Sequence, residues 1–417
     1  MSSNNLRKSY IIWGAILIYV LCVTYADSSP RVMGNLSFQG YGYTDADQVD
    51  HLYLEQNLNM SIYHQTLPIS FYFSGNYYGD MEDDFGESAE FRFLRGYVQY
   101  GNPYQHNYAR LGRFFLYSGA LIGSFDGIET KYALNNSTKL GMFIGMSGPL
   151  TRKFEFDEPD KSFAFGFDVS YRSKDMWLFK RPVFSIDYAY QMREEDKIHH
   201  RVSMSHTSKI DNHWSLYGHL RLRMADEFLQ RGILRVRYVN HNISGILEAA
   251  TYQPEIAEAS WFKDFEMPRY HRVRTAWQGW IIPDLIGAGI DVAGLINYEG
   301  YSWRLGPLAM FKYGFIGYRF STGDHSKSEG LWANINYSPT KCVNAYANVA
   351  ITTYEWEAID LESNELQTYT LGGKWTPPIR DDFTLGVEYQ VYSSPQMDRD
   401  SRALGSITWR FDTRGKK

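Results

Sequence analysis

The sequence predicts an all-β fold: a transmembrane up-and-down antiparallel β-barrel with an even number of strands, about 18 to 22. From Arg31 onward, apolar and polar residues alternate with a period of two, which is the periodicity of half-buried strands. The connections between these runs sort into short turns and longer, acidic loops. Aromatic residues reach 17% although the mean hydropathy is only -0.40, so an all-helical protein and a soluble α/β enzyme are both disfavoured.

Residues 1–26 have the features of a secretory signal peptide. Arg7 and Lys8 precede an apolar run from Tyr10 to Val23, and Thr24-Tyr25-Ala26 fits a cleavage site. The run is shorter than the roughly 20 residues that a helix needs to cross a bilayer, which argues against a permanent anchor. Cys22 lacks the small residue expected before a lipidated cysteine. We therefore predict cleavage after Ala26 and a single barrel domain over residues 27–417.

Each alternating run has an apolar face and a hydrated face. The run from His51 to Ile62 has leucine, methionine or isoleucine at five of its six even positions, and tyrosine, glutamate or asparagine at most odd positions. The same division occurs in residues 163–171, 343–352 and 383–391. Strands that cross a bilayer must close into a barrel, because lipid leaves no partner for free backbone groups. The apolar faces are predicted to meet lipid and the polar faces to line a lumen.

The connections predict two different rims. Short turns are expected at residues 64–66, 135–138, 209–212, 283–284, 338–340 and 376–380, and longer acidic loops at 80–87, 154–160, 194–196, 355–365 and 396–400. Strict alternation of the two classes is typical of an up-and-down barrel whose short turns face the periplasm. Residues 301–320 fit either one long strand or two short ones.

Tyrosine and tryptophan residues near the strand ends predict two aromatic girdles at the membrane interfaces. The residues expected in them are Tyr41, Tyr43, Tyr77, Tyr78, Tyr100, Tyr190, Trp277, Trp280, Tyr337, Trp375 and Trp409.

Two segments resemble porin-like outer-membrane β-barrels of Gram-negative bacteria. The final run places Ile407, Trp409 and Phe411 on one face, and it resembles the C-terminal strand that the barrel assembly machinery reads, except that six residues follow Phe411. Residues 110–113 (Arg-Leu-Gly-Arg) and 125–127 (Phe-Asp-Gly) resemble the "LGRQ" and "DG" strands of such proteins, with Phe114 in place of the usual glutamine. The resemblance covers the whole mature chain, implies a channel and names no substrate.

Arginines cluster on the face predicted to line the lumen. They alternate with apolar residues in successive runs and are predicted to form one pore-lining wall: Arg201, Arg221, Arg223, Arg235, Arg237, Arg272 and Arg274. Permanently charged guanidinium groups would favour the passage of anions. The alternative is that they only neutralise scattered lumen acids, namely Glu55, Asp168, Asp187, Glu248, Asp291 and Glu388.

Two connecting segments could narrow the lumen. Residues 114–124 are too apolar for a solvated loop and could fold into the pore or pack on the rim. Residues 255–268 carry apolar residues at nearly helical spacing, so they could form a short amphipathic helix over the lumen or a rim loop with buried aromatics.

Several function classes are disfavoured. Charge is nearly balanced, 42 basic against 47 acidic residues, so nucleic acid is not expected as a partner. Once Cys22 is removed, Cys342 is the only cysteine, which leaves no haem attachment or thiolate metal site. His199 and His200 are adjacent in a strand and point to opposite sides, which argues against a metal site. No catalytic residues, metal or cofactor are predicted, and an enzyme is not expected.

The leading hypothesis is a bacterial outer-membrane channel for passive diffusion of small hydrophilic, preferentially anionic, solutes. The alternative is a barrel sheath that holds a partner, such as a multihaem cytochrome, in a porin-cytochrome electron conduit. Outer-membrane lipid and the barrel assembly machinery are the expected partners, and a periplasmic or extracellular partner protein is left open.

Overall fold

The structure is a computed structural model that describes residues 30–44, 50–81, 90–149, 162–193, 197–224, 228–253, 269–298, 300–324, 326–356, 361–394 and 397–413. The predicted signal peptide, residues 82–87, 154–160 and 194–196 of the acidic segments, and the segment 255–268, expected to be a short helix or a rim loop, lie outside these residues.

Strands make up nearly all of the described chain. The first eleven are β1 (Arg31–Thr44), β2 (Asp50–Tyr63), β3 (Ile69–Asp80), β4 (Glu90–Asn102), β5 (Asn107–Tyr117), β6 (Ile122–Ala133), β7 (Thr138–Ser147), β8 (Phe163–Arg172), β9 (Lys180–Arg193), β10 (Lys197–Lys209) and β11 (Trp214–Arg223). The remaining strands are β12 (Phe228–Val239), β13 (Ile243–Tyr252), β14 (Tyr270–Ile282), β15 (Ile286–Asn297), β16 (Gly300–Phe311), β17 (Gly314–Gly323), β18 (Ser326–Thr340), β19 (Val343–Trp356), β20 (Leu361–Trp375), β21 (Phe383–Ser394) and β22 (Met397–Asp412). One 3-10 turn, Pro103–Gln105, joins β4 to β5. No helix in the described ranges is both long and apolar enough to span a bilayer.

The sheet closes on itself. Within the described residues it has 22 strands, each paired antiparallel with its neighbours in sequence, and β1 also pairs with β22. The predicted up-and-down barrel with an even strand count is therefore confirmed. Residues 301–320 form two strands, β16 and β17, joined at Lys312 and Tyr313.

The outer face of the barrel is apolar. Large side chains that alternate along neighbouring strands remain exposed, such as Leu111, Ile128, Ile144 and Val387. Their register places them in continuous rows across the wall, as where Leu111 pairs with Ile128 and Ile128 with Ile144. A soluble protein would bury such a surface, so this face fits lipid contact.

The seam between β1 and β22 is held by residues at the end of the chain. Phe411 lies opposite Gly34 and packs against an outer-face cluster that includes Val32 and Met60. Arg31 donates to the Asp412 carboxylate at 3.1 and 2.6 Å, and Thr413 donates its backbone N–H to the Val32 carbonyl at 2.9 Å. These contacts join β1 to the residues that follow Phe411 and so extend the seam past the aromatic side chain.

Two loops, expected at residues 355–365 and 396–400, are shorter than the sequence indicates. The strands extend into both of these loops: residues 357–360 separate β19 from β20, and residues 395–396 separate β21 from β22. Residues 114–124 are mostly strand, since β5 runs to Tyr117 and β6 begins at Ile122. We call one end of the barrel the turn rim; it carries the connections that follow even-numbered strands, such as β2–β3 and β4–β5. The opposite end is the loop rim.

The predicted aromatic girdle is wrong for three tyrosines. Tyr41 pairs with Tyr53, and their rings stack at 5.1 Å on the face that also carries Glu55. Tyr43 follows Tyr41 on the same face, and Tyr78 lies opposite Glu55. These rings therefore face the interior near the loop rim rather than the bilayer interface, because strand parity decides the side a residue faces.

Candidate functional site

The candidate site is the inner wall of the barrel. Glu129, Asp187 and Glu248 face away from the exposed apolar rows and are almost fully buried. Charged groups on this face contact one another across neighbouring strands, as where Lys131 on β6 forms an ion pair with Asp168 on β8. The face opposite the apolar belt is thus lined by hydrogen-bonding and ionic side chains.

The β5–β6 connection bends into the interior. The backbone N–H of Gly119 donates to the Asp187 carboxylate on β9 at 3.2 Å, and the Gly119 carbonyl accepts from the Arg221 guanidinium on β11 at 2.7 Å. β7 and β8 lie between β6 and β9 along the wall, so these contacts run through the lumen. We call residues 118–121 the inner segment.

An apolar cluster holds the inner segment in place. Ala120 and Leu121 are buried against the inner face, where the cluster also contains Phe114, Phe125, Phe143, Ala164 and Ala189. Small residues at positions 164 and 189 leave room for the segment. Of the two alternatives for residues 114–124, packing within the pore is the one observed. It narrows the lumen beside the arginines of β10 and β11.

All seven arginines predicted to line the pore lie on the inner face of β10, β11, β12 and β14. Arg201 pairs with Arg223, Arg235 with Glu248, and Glu248 with Arg274. Their outward-facing neighbours are exposed and apolar, for example Leu220 and Val273. The structure brings the seven side chains together on adjacent strands.

Two carboxylates are each shared by two arginines. Glu248, fully buried, accepts from Arg235 at 2.7 Å and also from Arg272. Asp291 accepts from Arg274 at 3.0 Å and from Arg304 at 3.4 Å. Each cluster therefore retains one net positive charge. Charge-assisted pairs of this kind fix the guanidinium groups without neutralising the wall.

The other arginines of the wall have different surroundings. Arg201 donates to the Gln191 side chain at 2.9 Å, and Arg221 to the inner segment. Arg223 lies beside Arg201 in the register. Arg237 is exposed on β12, where Arg237 pairs with Ser215 and Ile246.

Two arginines of this wall were not among the predicted residues. Arg231 pairs with Arg221, and its guanidinium lies 5.4 Å from the centre of the Tyr252 ring. Arg304 contacts Asp291 from β16. The alternation Trp303-Arg304-Leu305 has the pattern that identified the other arginines, so Arg304 could have been found in the same way.

The inner face of β1 to β3 and of β18 and β19 carries several amide side chains. On β1 to β3, Asn59 donates to Asn35 at 3.0 Å and accepts from Ser74 at 2.6 Å. On β18 and β19, Asn344 donates to Asn336 at 2.7 Å. Glu388, one of the scattered lumen acids, accepts from the Tyr346 hydroxyl. Arginines are concentrated on the inner face of β10 to β16, whereas basic residues elsewhere on the inner face, such as Lys131 and Arg402, pair with carboxylates.

The predicted assembly residues lie on β22. Ile407 and Trp409 are partly exposed on the outer face, and Phe411 covers Gly34 across the seam. The Trp409 indole donates to the Asp382 carboxylate at 3.1 Å. Across the described ranges, no group of three histidine, cysteine, aspartate or glutamate side chains is arranged to hold a metal ion.

Comparisons with known proteins bear on the fold. No protein-family model and no curated protein sequence matches the chain. Among solved structures, the chain is similar to the translocation pore of the P pilus usher PapC, with a TM-score of 0.52 and 8% identity over 91% of this chain and 99% of that one. At this level of identity, the similarity concerns the fold alone.

Porin structures also align over most of their length. A BenF-like porin from Pseudomonas fluorescens Pf-5 aligns with a TM-score of 0.43 and 9% identity over 92% of this chain and 98% of that one. OccAB4 from Acinetobacter baumannii has the same TM-score and identity over 93% of this chain and 99% of that one. A closed antiparallel barrel with an apolar belt and a polar interior is the architecture of outer-membrane barrels.

Proposed function

We propose that this chain spans the bacterial outer membrane and acts as a channel for passive diffusion of small hydrophilic anions along the arginine wall. The observation that carries the proposal is the sharing of Glu248 and of Asp291 by two arginines each. If the arginines served only to neutralise lumen acids, one guanidinium per carboxylate would suffice. The excess charge is available to a passing ion.

The charge distribution supports anion preference. In the described part of β10–β16, nine arginines face the interior against two carboxylates, Glu248 and Asp291: Arg201, Arg221, Arg223, Arg231, Arg235, Arg237, Arg272, Arg274 and Arg304. Screening acts over about 8 Å at physiological salt, so an ion near this wall senses the nearest of these charges. Rings or walls of arginine favour anions in pores by this mechanism.

The alternative function, a sheath around a multihaem cytochrome or similar partner, is harder to reconcile with the inner segment. A partner threaded through the barrel would occupy the volume into which residues 118–121 project, and Gly119 is held there from β9 and β11. Small solutes can pass beside the inner segment without occupying the volume that it fills. The channel hypothesis therefore accounts for more of the inner wall.

Planar-bilayer recordings test the proposal. Under a potassium chloride gradient, the purified barrel should show a reversal potential that reports anion preference, weakening as salt rises. Replacing Arg221, Arg223, Arg235 and Arg237 with glutamine should move the preference toward cations while the barrel still inserts. A barrel that conducts no ions, or one whose selectivity is unchanged in the quadruple variant, would reject the channel and favour the sheath.

A further inference from the structure

The β8–β9 turn, residues 173–179, displays three consecutive apolar side chains at the turn rim. Met176, Trp177 and Leu178 are 46%, 92% and 57% exposed. The tip is nevertheless well ordered by hydrogen bonds: Met176 and Phe179 exchange backbone bonds at 2.8 and 2.9 Å, and Asp175 accepts from the Arg181 N–H at 3.0 Å. Three consecutive exposed apolar side chains form a contiguous patch, and such patches mark contacts with a membrane or another protein.

The backbone at the tip favours a different residue. Trp177 has φ of 52°, in the left-handed region, at the first position of a two-residue hairpin loop. Glycine, asparagine and aspartate normally occupy such a position, because a larger side chain is strained there.

Basic residues flank the tip. Lys174, Lys180 and Arg181 are all exposed, and Asp175 is the one acid among them. Arg172, at the end of β8, lies on the lumen side with Asp168. Other turns of this rim also expose apolar residues, for example Leu134 and Ile379. Among the described turns of the turn rim, only β8–β9 combines an apolar tip with three basic neighbours. Apolar tips between basic side chains are typical of segments that enter an anionic bilayer surface.

The tip is joined to the lipid-facing side of the wall. The Phe179 ring packs edge-on against His206, with 5.5 Å between ring centres, and His206 also contacts Phe184. His206 pairs with Phe184 and alternates with exposed Met204, so these residues belong to the outer face. The hairpin therefore lies over the outer wall and not over the lumen.

A groove of about 680 Å³ begins at that contact and crosses β10 to β14. Phe184, His206 and Met204 line its near end, and Leu234 and Val273 its far side. Its floor includes Gly218, where an added Cβ would meet no atom within 4 Å, and Gly232. A long apolar depression in a wall that faces lipid has the shape of an acyl chain.

We propose that residues 174–181 and this groove form a binding site for an anionic phospholipid of the bilayer leaflet at the turn rim. The basic side chains face the phosphate headgroup, Trp177 and Leu178 lie at the interface, and an acyl chain occupies the groove. The inference rests on the membrane placement proposed above but not on ion conduction. Charge complementarity selects the lipid, since the flanking residues carry an excess of positive charge.

Two measurements test the site. First, a nitroxide at Leu178→Cys in a Cys342→Ser background, in vesicles of phosphatidylcholine and phosphatidylglycerol, should be accessible to oxygen and protected from a water-soluble nickel chelate. The matched control is Asn136→Cys on the neighbouring turn, which should show the opposite behaviour. A probe at position 178 that is as exposed to the nickel chelate as one at 136 would overturn the proposal and point to a periplasmic protein as the occupant.

Second, native mass spectrometry should detect phosphatidylglycerol retained by the intact barrel in preference to phosphatidylcholine. The triple variant Lys174→Gln, Lys180→Gln and Arg181→Gln should lose this retention several-fold, whereas Lys312→Gln, Lys341→Gln and Arg380→Gln, which removes the same charge from other turns of the rim, should not. Gly218→Leu should fill the groove and displace lipid, and Gly405→Leu, also over open space, should not. Equal loss in both triple variants would overturn the site.

Discussion

Arg221 donates its Nε–H to the backbone carbonyl of Gly119 at 2.7 Å, although 102 residues separate the two in the sequence. This bond ties the arginine wall to the inner segment. One side chain therefore contributes both to the charge of the lumen and to its width. A change at Gly119 can alter the width of the lumen without altering its charge, because Gly119 packs against β9 and β10 and carries no charged side chain.

Gly119→Ala should widen or destabilise the constriction. A Cβ at this position would overlap the Ser203 hydroxyl and lie 2.6 Å from the Asp187 carboxylate, so the inner segment must move away from β9 and β10. We expect a higher single-channel conductance with the same sign of ion preference. Gly123→Ala is the control, since its Cβ would meet no atom within 4 Å. Equal conductance of the two variants would show that the inner segment does not limit the current.

Glu248→Gln should strengthen anion preference. The change leaves Arg235 and Arg272 without their shared carboxylate and adds one net positive charge to the wall. A unit charge acting over about 4 Å in water is worth about 1 kcal/mol, so the permeability ratio should change by up to several-fold. Thermal stability should fall, because two like charges lose the group between them. Reversal potentials and heat-induced unfolding on gels measure the two effects.

Glu388→Gln provides the comparison for Glu248→Gln. Glu388 lies on the opposite wall and accepts from the Tyr346 hydroxyl instead of from arginine. Its replacement should change the reversal potential less, because no guanidinium pair is released. An equal shift in both variants would mean that total lumen charge, and not the arginine wall, sets selectivity.

Phe411→Ala should reduce the amount of assembled barrel several-fold. The ring packs on the Val32 cluster and covers Gly34 at the closing seam. Ile407→Ala, farther along β22 and partly exposed, should have a smaller effect. The amount of heat-modifiable barrel in membranes is the measurement. Unchanged levels in Phe411→Ala would contradict the assembly-signal prediction.

A truncation separates the aromatic from the tail. The sequence alone suggests that residues 412–417 are dispensable, but Asp412 and Thr413 bond to Arg31 and Val32. Removing residues 414–417 should therefore be tolerated better than removing 412–417. Equal assembly of the two truncations would show that the Arg31–Asp412 contact adds nothing to closure.

Acid should weaken one contact at the turn rim. Asp382, in the β20–β21 turn, accepts from Arg380 at 3.1 Å and from the Trp409 indole at 3.1 Å, and the hydrogen bond from Arg380 lowers the pKa of its carboxyl. A lowered pKa contributes stability above the ordinary aspartate value of about 4, which is lost as the pH falls through the lower folded value. The group is solvent-exposed, so the effect is small.

The pH effect is checked by comparing unfolding temperatures of the parent chain and of Asp382→Asn between about pH 5 and about pH 3. The parent chain should lose more stability over this interval than the variant, which has no carboxyl at position 382. Parallel losses would assign the acid sensitivity to other groups.

The sequence determined the strand type, the inner and outer faces and the position of most arginines, because strand alternation is a local property with a period of two. The number of alternating runs also predicted an even strand count between 18 and 22. The same alternation places Tyr41 in the barrel interior, because Tyr41 lies on the same side of β1 as Gln39, which pairs with Glu55. The prediction of an aromatic girdle considered only how close each residue is to a strand end, and not which side of the strand its side chain faces.

Tertiary structure decided which groups meet. Glu248 joins Arg235 and Arg272 only because β13 lies between β12 and β14, and Asp291 joins Arg274 and Arg304 in the same way. The inner segment is apolar enough to suit either lipid or a packed interior. The small side chains of Ala164 and Ala189, from strands distant in sequence, leave space for Ala120 and Leu121 inside the barrel. No local pattern encodes that space, because it arises from the closure of the sheet.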